Sequence, residues 1–91
     1  MTLAELYQII LERKAHLPAG SYTTTLLQGG LPRLAQKVGE EAAETLVAAL
    51  TEDNRRLVEE AADLLYHLLV LLAARNIPWQ AVEAELERRR R

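Results

Sequence analysis

The stretch 59-EEAADLLYHLLVLL-72 decides how this chain is read. From Ala61 to Ala74 nearly every residue is apolar, so the segment calls for burial on most of its sides. Two acids, Glu60 and Asp63, nevertheless stand three residues apart at its start, with His67 one turn further on. The apolar run that follows, Leu68 to Ala74, is far shorter than the ~20 residues a membrane helix needs. The stretch therefore reads as a core helix carrying carboxylates, flanked on the acid side by Leu57, Leu64, Leu68 and Leu71 and preceded on that stripe by Arg56.

Working outward, the sequence predicts three more helices and no strand. Thr2 and Glu5 form a capping-box pair ahead of Leu3, Leu6, Tyr7 and Ile10, the spacing of one helix face. The segment 17-LPAGSYTTTLLQGGLP-32 breaks that pattern with prolines and glycines and reads as a loop, with one helical turn at most around Thr24–Gln28. Pro32 suits the first turn of a second helix ending near Leu50. Asp53 or Asn54 caps the third, which runs to Arg75 with Asn76 as its C-terminal cap. Pro78 starts a short fourth helix to about Arg89. The fold class is all-α: an antiparallel helical hairpin with flanking helices, residues 1–91 forming a single domain.

Composition narrows the function. With 91 residues and 49% hydrophobic content the chain is one small folded domain, for which a core shared between two subunits is a natural supplement. The third helix is apolar on more faces than one neighbour can cover, which points to a homodimer, with Trp79 as a core or dimer anchor. The absence of cysteine excludes disulfides and thiolate metal sites. The N-terminus lacks the basic and apolar regions of a secretory signal, so a cytoplasmic protein without a membrane partner is expected. The tail 87-ERRRR-91 is basic but carries no aromatic residue; it reads as a solvated helix end rather than a nucleic-acid surface.

The second helix carries 37-KVGEEAAE-44, where Glu41 and Glu44 fall within about 60° of each other. Leu34, Val38, Ala42, Thr45 and Ala49 form the arc beside them, which puts the acids at the edge of the packed face. Because the two long helices are antiparallel, Glu41-x-x-Glu44 and Glu60-x-x-Asp63 can converge. Four carboxylates beside a core repel one another and are poorly solvated. A hard divalent ion such as Mg²⁺, with Mn²⁺ as a substitute, resolves that conflict through oxygen ligands alone. The competing account is an acidic solvated face. It suffices for Glu52, Asp53, Glu83, Glu85 and Glu87 but not for Asp63, whose neighbours leave little polar surface. His67 reads as a satisfied core histidine or a residue that orients a ligand, rather than as a ligand itself, and Tyr66 as a packing residue whose hydroxyl is paired elsewhere.

At these residues the sequence resembles a known family. Glu40-Glu41-x-x-Glu44 followed by Glu60-x-x-Asp63 is similar to the signature of the all-α, MazG-like nucleoside triphosphate pyrophosphohydrolases. The segments SYTTTLL, KVGEEAAE and EEAADLLYHLLVLL, in that order, resemble phosphoribosyl-ATP pyrophosphohydrolase, over about Leu3 to Arg89. The resemblance implies Mg²⁺-dependent hydrolysis of phosphoribosyl-ATP to phosphoribosyl-AMP and pyrophosphate in histidine biosynthesis, by a helical homodimer. It also implies Glu41, Glu44, Glu60 and Asp63 as metal ligands and a separate phosphoribosyl-AMP cyclohydrolase as the next enzyme. An acidic site takes so anionic a substrate through bridging cations. Glu40 is the candidate base, or a residue orienting a ligand. Lys37 can meet a phosphate or simply pair with Glu41. Ser21, Tyr22 and Thr23 in the hydroxyl-rich turn, and Arg33 beside Pro32, are candidate substrate contacts. The alternatives are a housecleaning enzyme acting on ordinary or damaged nucleoside triphosphates and a non-enzymatic dimerisation module. A ferritin-like di-iron site needs Glu-x-x-His pairs, a spacing that Asp63 and His67 do not have.

Overall fold

Local chemistry sets each helix boundary. In the computed structural model, which describes residues 1–91, the Thr2 hydroxyl accepts from the Glu5 N–H at 3.1 Å and the Glu5 carboxylate accepts from the Thr2 N–H at 3.0 Å. This closed capping box starts α1, Leu3–His16. Gly30, at φ 89, makes the turn into α3, Leu31–Thr51, with Pro32 in its first turn. Asp53 accepts from the Arg56 N–H at 2.9 Å and starts α4, Asn54–Ala74. Asn76 adopts the left-handed φ of 59 that ends it. The N–H groups of Asn76 and Ile77 then return to the carbonyls of Ala73 and Leu72 at 3.0 and 2.9 Å, a Schellman closure. Pro78 leads into α5, Trp79–Arg88.

One expectation is corrected here. Residues Tyr22–Gln28 are not a loop with a single turn but a helix, α2, capped by Ser21. Three consecutive threonines, with prolines and glycines on either side, argue locally against a helix. Burial of Thr23, Thr24 and Leu26 against the rest of the fold overrides that preference.

The all-α hairpin is present: α3 and α4, joined by Glu52 and Asp53, pack along each other as antiparallel neighbours. Helix α1 lies across the C-terminal half of α4, and α2 wedges against α1, α3 and α4. The core sits at that end, where Tyr7 and Ile10 meet Leu26, Leu34, Leu69, Val70 and Ala73. Trp79 packs half-buried on its margin. Polar groups close the core over: the Tyr7 hydroxyl donates to the Ile77 carbonyl at 2.5 Å and Lys14 Nζ to the Ala73 carbonyl at 2.8 Å. No helix is long and apolar enough to cross a membrane.

Away from the core the hairpin is bare. Leu46, Val47, Leu50 and Val58 are all more than half exposed, at 65%, 54%, 85% and 69%.

Candidate active site

The buried positions of α3 are Leu34, Glu41 and Ala48, two turns apart each time, so they lie on one line facing α4. Glu41 therefore stands inside the packed face and not at its edge as expected. Opposite it, Glu60 is the first buried residue of α4, and His67 the second, two turns on. Asp63 is displaced from Glu60 around the helix and is exposed, although its apolar neighbours predict otherwise.

These placements bring three carboxylates together. One oxygen each of Glu41, Glu60 and Asp63 lies within 4.8 Å of the other two. Oε2 of Glu41 and Oε2 of Glu60 are buried and have no hydrogen-bond partner. Burial, reinforced by the neighbouring Glu44 and Asp63, pushes the Glu60 carboxyl above its ordinary value against the opposing pull of Arg56. Glu44 itself is exposed and outside the triad, but it shares with Glu60 and Arg56 an open cavity of about 370 Å³.

Two residues that the carboxylate pattern does not announce complete the arrangement. Arg56 places Nη2 2.5 Å from Glu60 and Nη1 3.0 Å from Glu59, with Nε 3.8 Å from Glu52. The Thr45 hydroxyl lies 2.8 Å from the Glu41 carbonyl and 3.2 Å from that of Glu60, pinning together the turns that bear the two buried acids. Arg56 was detectable as a cation on the acid stripe; Thr45 was not, since its contact crosses between helices.

A second group of residues lies toward the start of α3. Lys37 is 3.7 Å from both Glu40 and Glu41. Glu40 is exposed, outside the triad, and accepts from Gln36 at 3.0 Å. Tyr22, Arg33 and Lys37 line a cavity of about 280 Å³ with Thr25, Leu26 and Gly29. The other two residues of the hydroxyl-rich turn face the fold. Ser21 caps α2 through the Thr24 N–H at 3.5 Å, and buried Thr23 shares a 2.5 Å hydrogen bond with the Tyr66 hydroxyl.

His67 links Tyr22 to the backbone of the α4 turn that bears Asp63. Its Nδ1 lies 2.7 Å from the Asp63 carbonyl, which can only accept, so Nδ1 carries the hydrogen. In the neutral ring Nε2 then accepts from the Tyr22 hydroxyl at 2.9 Å. The histidine is satisfied on both sides, as its place in an apolar helix suggests.

The sequence profile of the phosphoribosyl-ATP pyrophosphohydrolase family matches residues 3–90. A protein of Saccharolobus solfataricus named phosphoribosyl-ATP pyrophosphatase is 51% identical over 87 residues, 96% of this chain and 93% of that protein. Proteins of the same name from Trichlorobacter lovleyi and Sulfolobus acidocaldarius are 54% and 52% identical, covering 96% and 93% of this chain and 81% and 90% of their own lengths. The matched region takes in all five helices, and the chain belongs to the phosphoribosyl-ATP pyrophosphohydrolase family.

Proposed function

We propose that this chain hydrolyses phosphoribosyl-ATP to phosphoribosyl-AMP and pyrophosphate, the second step of histidine biosynthesis, with Mg²⁺ held by Glu41, Glu44, Glu60 and Asp63. The observation that carries the proposal is the pair of buried, partnerless carboxylate oxygens on Glu41 and Glu60, beside a third carboxylate and inside a family-matched chain. A buried anionic oxygen without a donor is costly, and an oxygen-only donor set fits a hard divalent cation, with Mn²⁺ as a substitute. Bound there, the ion supplies Lewis-acid stabilisation of charge on the phosphate oxygens and the departing pyrophosphate.

The chain's own residues do the rest. Thr45 fixes the distance between the two ligand-bearing turns. Lys37, shared between Glu40 and Glu41, is positioned to turn to a phosphate and neutralise it. Glu40, oriented by Gln36 and Lys37, is the candidate acceptor for the proton of the attacking water. Tyr22 and Arg33 face the substrate from the neighbouring cavity, while Ser21 and Thr23 hold the short helix that presents Tyr22.

The functional unit is proposed to be a homodimer. Leu46, Val47, Leu50 and Val58 leave an apolar face on the hairpin that a second copy would cover. A separate cyclohydrolase would consume the product.

Pyrophosphate release with Mg²⁺ tests the assignment, comparing phosphoribosyl-ATP with ATP and a panel of other nucleoside triphosphates. Strong preference for phosphoribosyl-ATP is expected. Equal turnover of many triphosphates would replace it with a housecleaning role, and no turnover would favour the dimerisation module.

A further inference from the structure

We infer that the cavity between α2 and α3, lined by Tyr22, Arg33 and Lys37, is a phosphomonoester subsite that takes the ribosyl 5′-phosphate of phosphoribosyl-ATP and so distinguishes it from ATP. The inference rests on the function proposed above and adds which phosphate each part of the surface receives.

Phosphoribosyl-ATP carries two separate anionic groups, a triphosphate and a phosphomonoester. The carboxylate cluster can accept the first only with cations bound. A second phosphate beyond that cluster needs positive charge from the chain itself. Most cations near the acids are engaged: Arg56 is held by Glu52, Glu59 and Glu60, and Lys37 lies between Glu40 and Glu41. Arg33 is different. It makes no ion pair and no side-chain hydrogen bond, and it lines a cavity with a tyrosine and a lysine.

The spacing along α3 also fits. Arg33, Lys37 and Glu41 follow one another at four-residue steps, each a rise of about 6 Å on the same face. A ligand anchored at Glu41 therefore passes Lys37 and reaches Arg33 about 12 Å away, room for a nucleotide to separate its two phosphate groups. Tyr22 forms the cavity wall with its hydroxyl fixed on His67, whose ring is in turn bonded to the Asp63 backbone. The cavity thus meets the carboxylates through Lys37 on α3, and its Tyr22 wall is held through His67 to the backbone of the turn that bears Asp63.

The test compares AMP with phosphoribosyl-AMP, which differ only in the phosphoribosyl group. Binding of each in Mg²⁺ buffer is measured by calorimetry for the unmodified protein, Arg33→Met and Arg33→Lys. Hydrolysis of phosphoribosyl-ATP by the unmodified protein is measured alongside. The unmodified protein is expected to favour phosphoribosyl-AMP by about tenfold or more, the size of one charge-assisted phosphate contact. Arg33→Met should bring that ratio to about twofold or below, while Arg33→Lys keeps part of it because charge survives and the planar fork does not. A ratio unchanged in Arg33→Met, or equal weakening of both nucleotides, overturns the subsite and leaves the proposed function standing if phosphoribosyl-ATP is still hydrolysed. Failure of the unmodified protein to hydrolyse phosphoribosyl-ATP overturns both.

Discussion

The two halves of α4 differ in composition, charged in the first and almost wholly apolar in the second, and they do opposite things. From His67 to Ala74 the helix buries Leu69, Val70 and Ala73 to 1% exposure or less, packed beneath α1. From Asn54 to Tyr66 its only buried residue is a carboxylate, Glu60, while Val58 stands 69% exposed. One half is complete within a single chain, with its polar groups paired. The other inverts the usual arrangement, holding an acid inside and leaving apolar side chains outside. Stability is therefore concentrated at the α1 end, and the hairpin end is the part that the proposed cation and the proposed second copy would complete.

Removing the buried charge tests the contrast between the halves most severely. Glu60→Gln keeps the shape of the side chain and removes a proposed ligand. Changes that only disturb a ligand's supporting partners cost roughly 10–100-fold, so loss of a ligand should lower Mg²⁺-dependent pyrophosphate release by more than about a hundredfold. Urea denaturation of the metal-free variant should show stability equal to or above that of the unmodified protein, because the desolvated charge has gone. Loss of activity together with loss of folding would make Glu60 a structural residue and void the contrast between the halves.

The reciprocal change strikes the other half. Leu69 is 1% exposed, and Leu69→Ala should cost about 2–5 kcal/mol in urea denaturation at fixed protein concentration. A cost below about 1 kcal/mol would mean that the core does not reside at the α1 end. For the apolar face, sedimentation at micromolar concentration should show a dimer. The double change Leu50→Glu and Val58→Glu should shift it toward monomer, since both residues lie at the exposed end of the hairpin. A monodisperse monomer of the unmodified protein would mean that no second copy covers this face.

How legible these features were differs by physical range. Caps act over three residues: Thr2 and Glu5 announced the start of α1, and Asp53 and Asn76 the two ends of α4. The antiparallel hairpin followed from two long apolar patterns and a short turn. Helix α2 did not, because a threonine run is held helical by contacts such as Thr23 with Tyr66, far off in sequence. Periodicity placed Glu41 and Glu60 on facing stripes, yet it did not fix the rotation of each helix. That rotation puts Glu41 in the packed face and leaves Asp63 in the open. The Tyr22–His67 bond and the Thr45 bridge are tertiary events that no local spacing encodes.

The smallest expected effect is a pH dependence that reports the same asymmetry. Burial raises the Glu60 carboxyl above the ordinary 4.5, so in the metal-free protein the folded state binds that proton more tightly than the unfolded chain does. Its contribution therefore penalises folding near neutral pH, and the penalty lifts as pH falls through the raised value toward 4.5. Glu85, held below 4.5 by hydrogen bonds from Arg88 and Arg89, has the opposite sign and loses its contribution only in more acidic solution. The two windows are separate. Melting temperatures of metal-free protein and Glu60→Gln, compared from pH 7.5 down to about 5, should thus converge or cross in favour of the unmodified chain as pH falls. If the difference between them stays constant across that range, Glu60 does not sit as a strained anion between the helices. The buried acid of α4 would then need no cation to explain it.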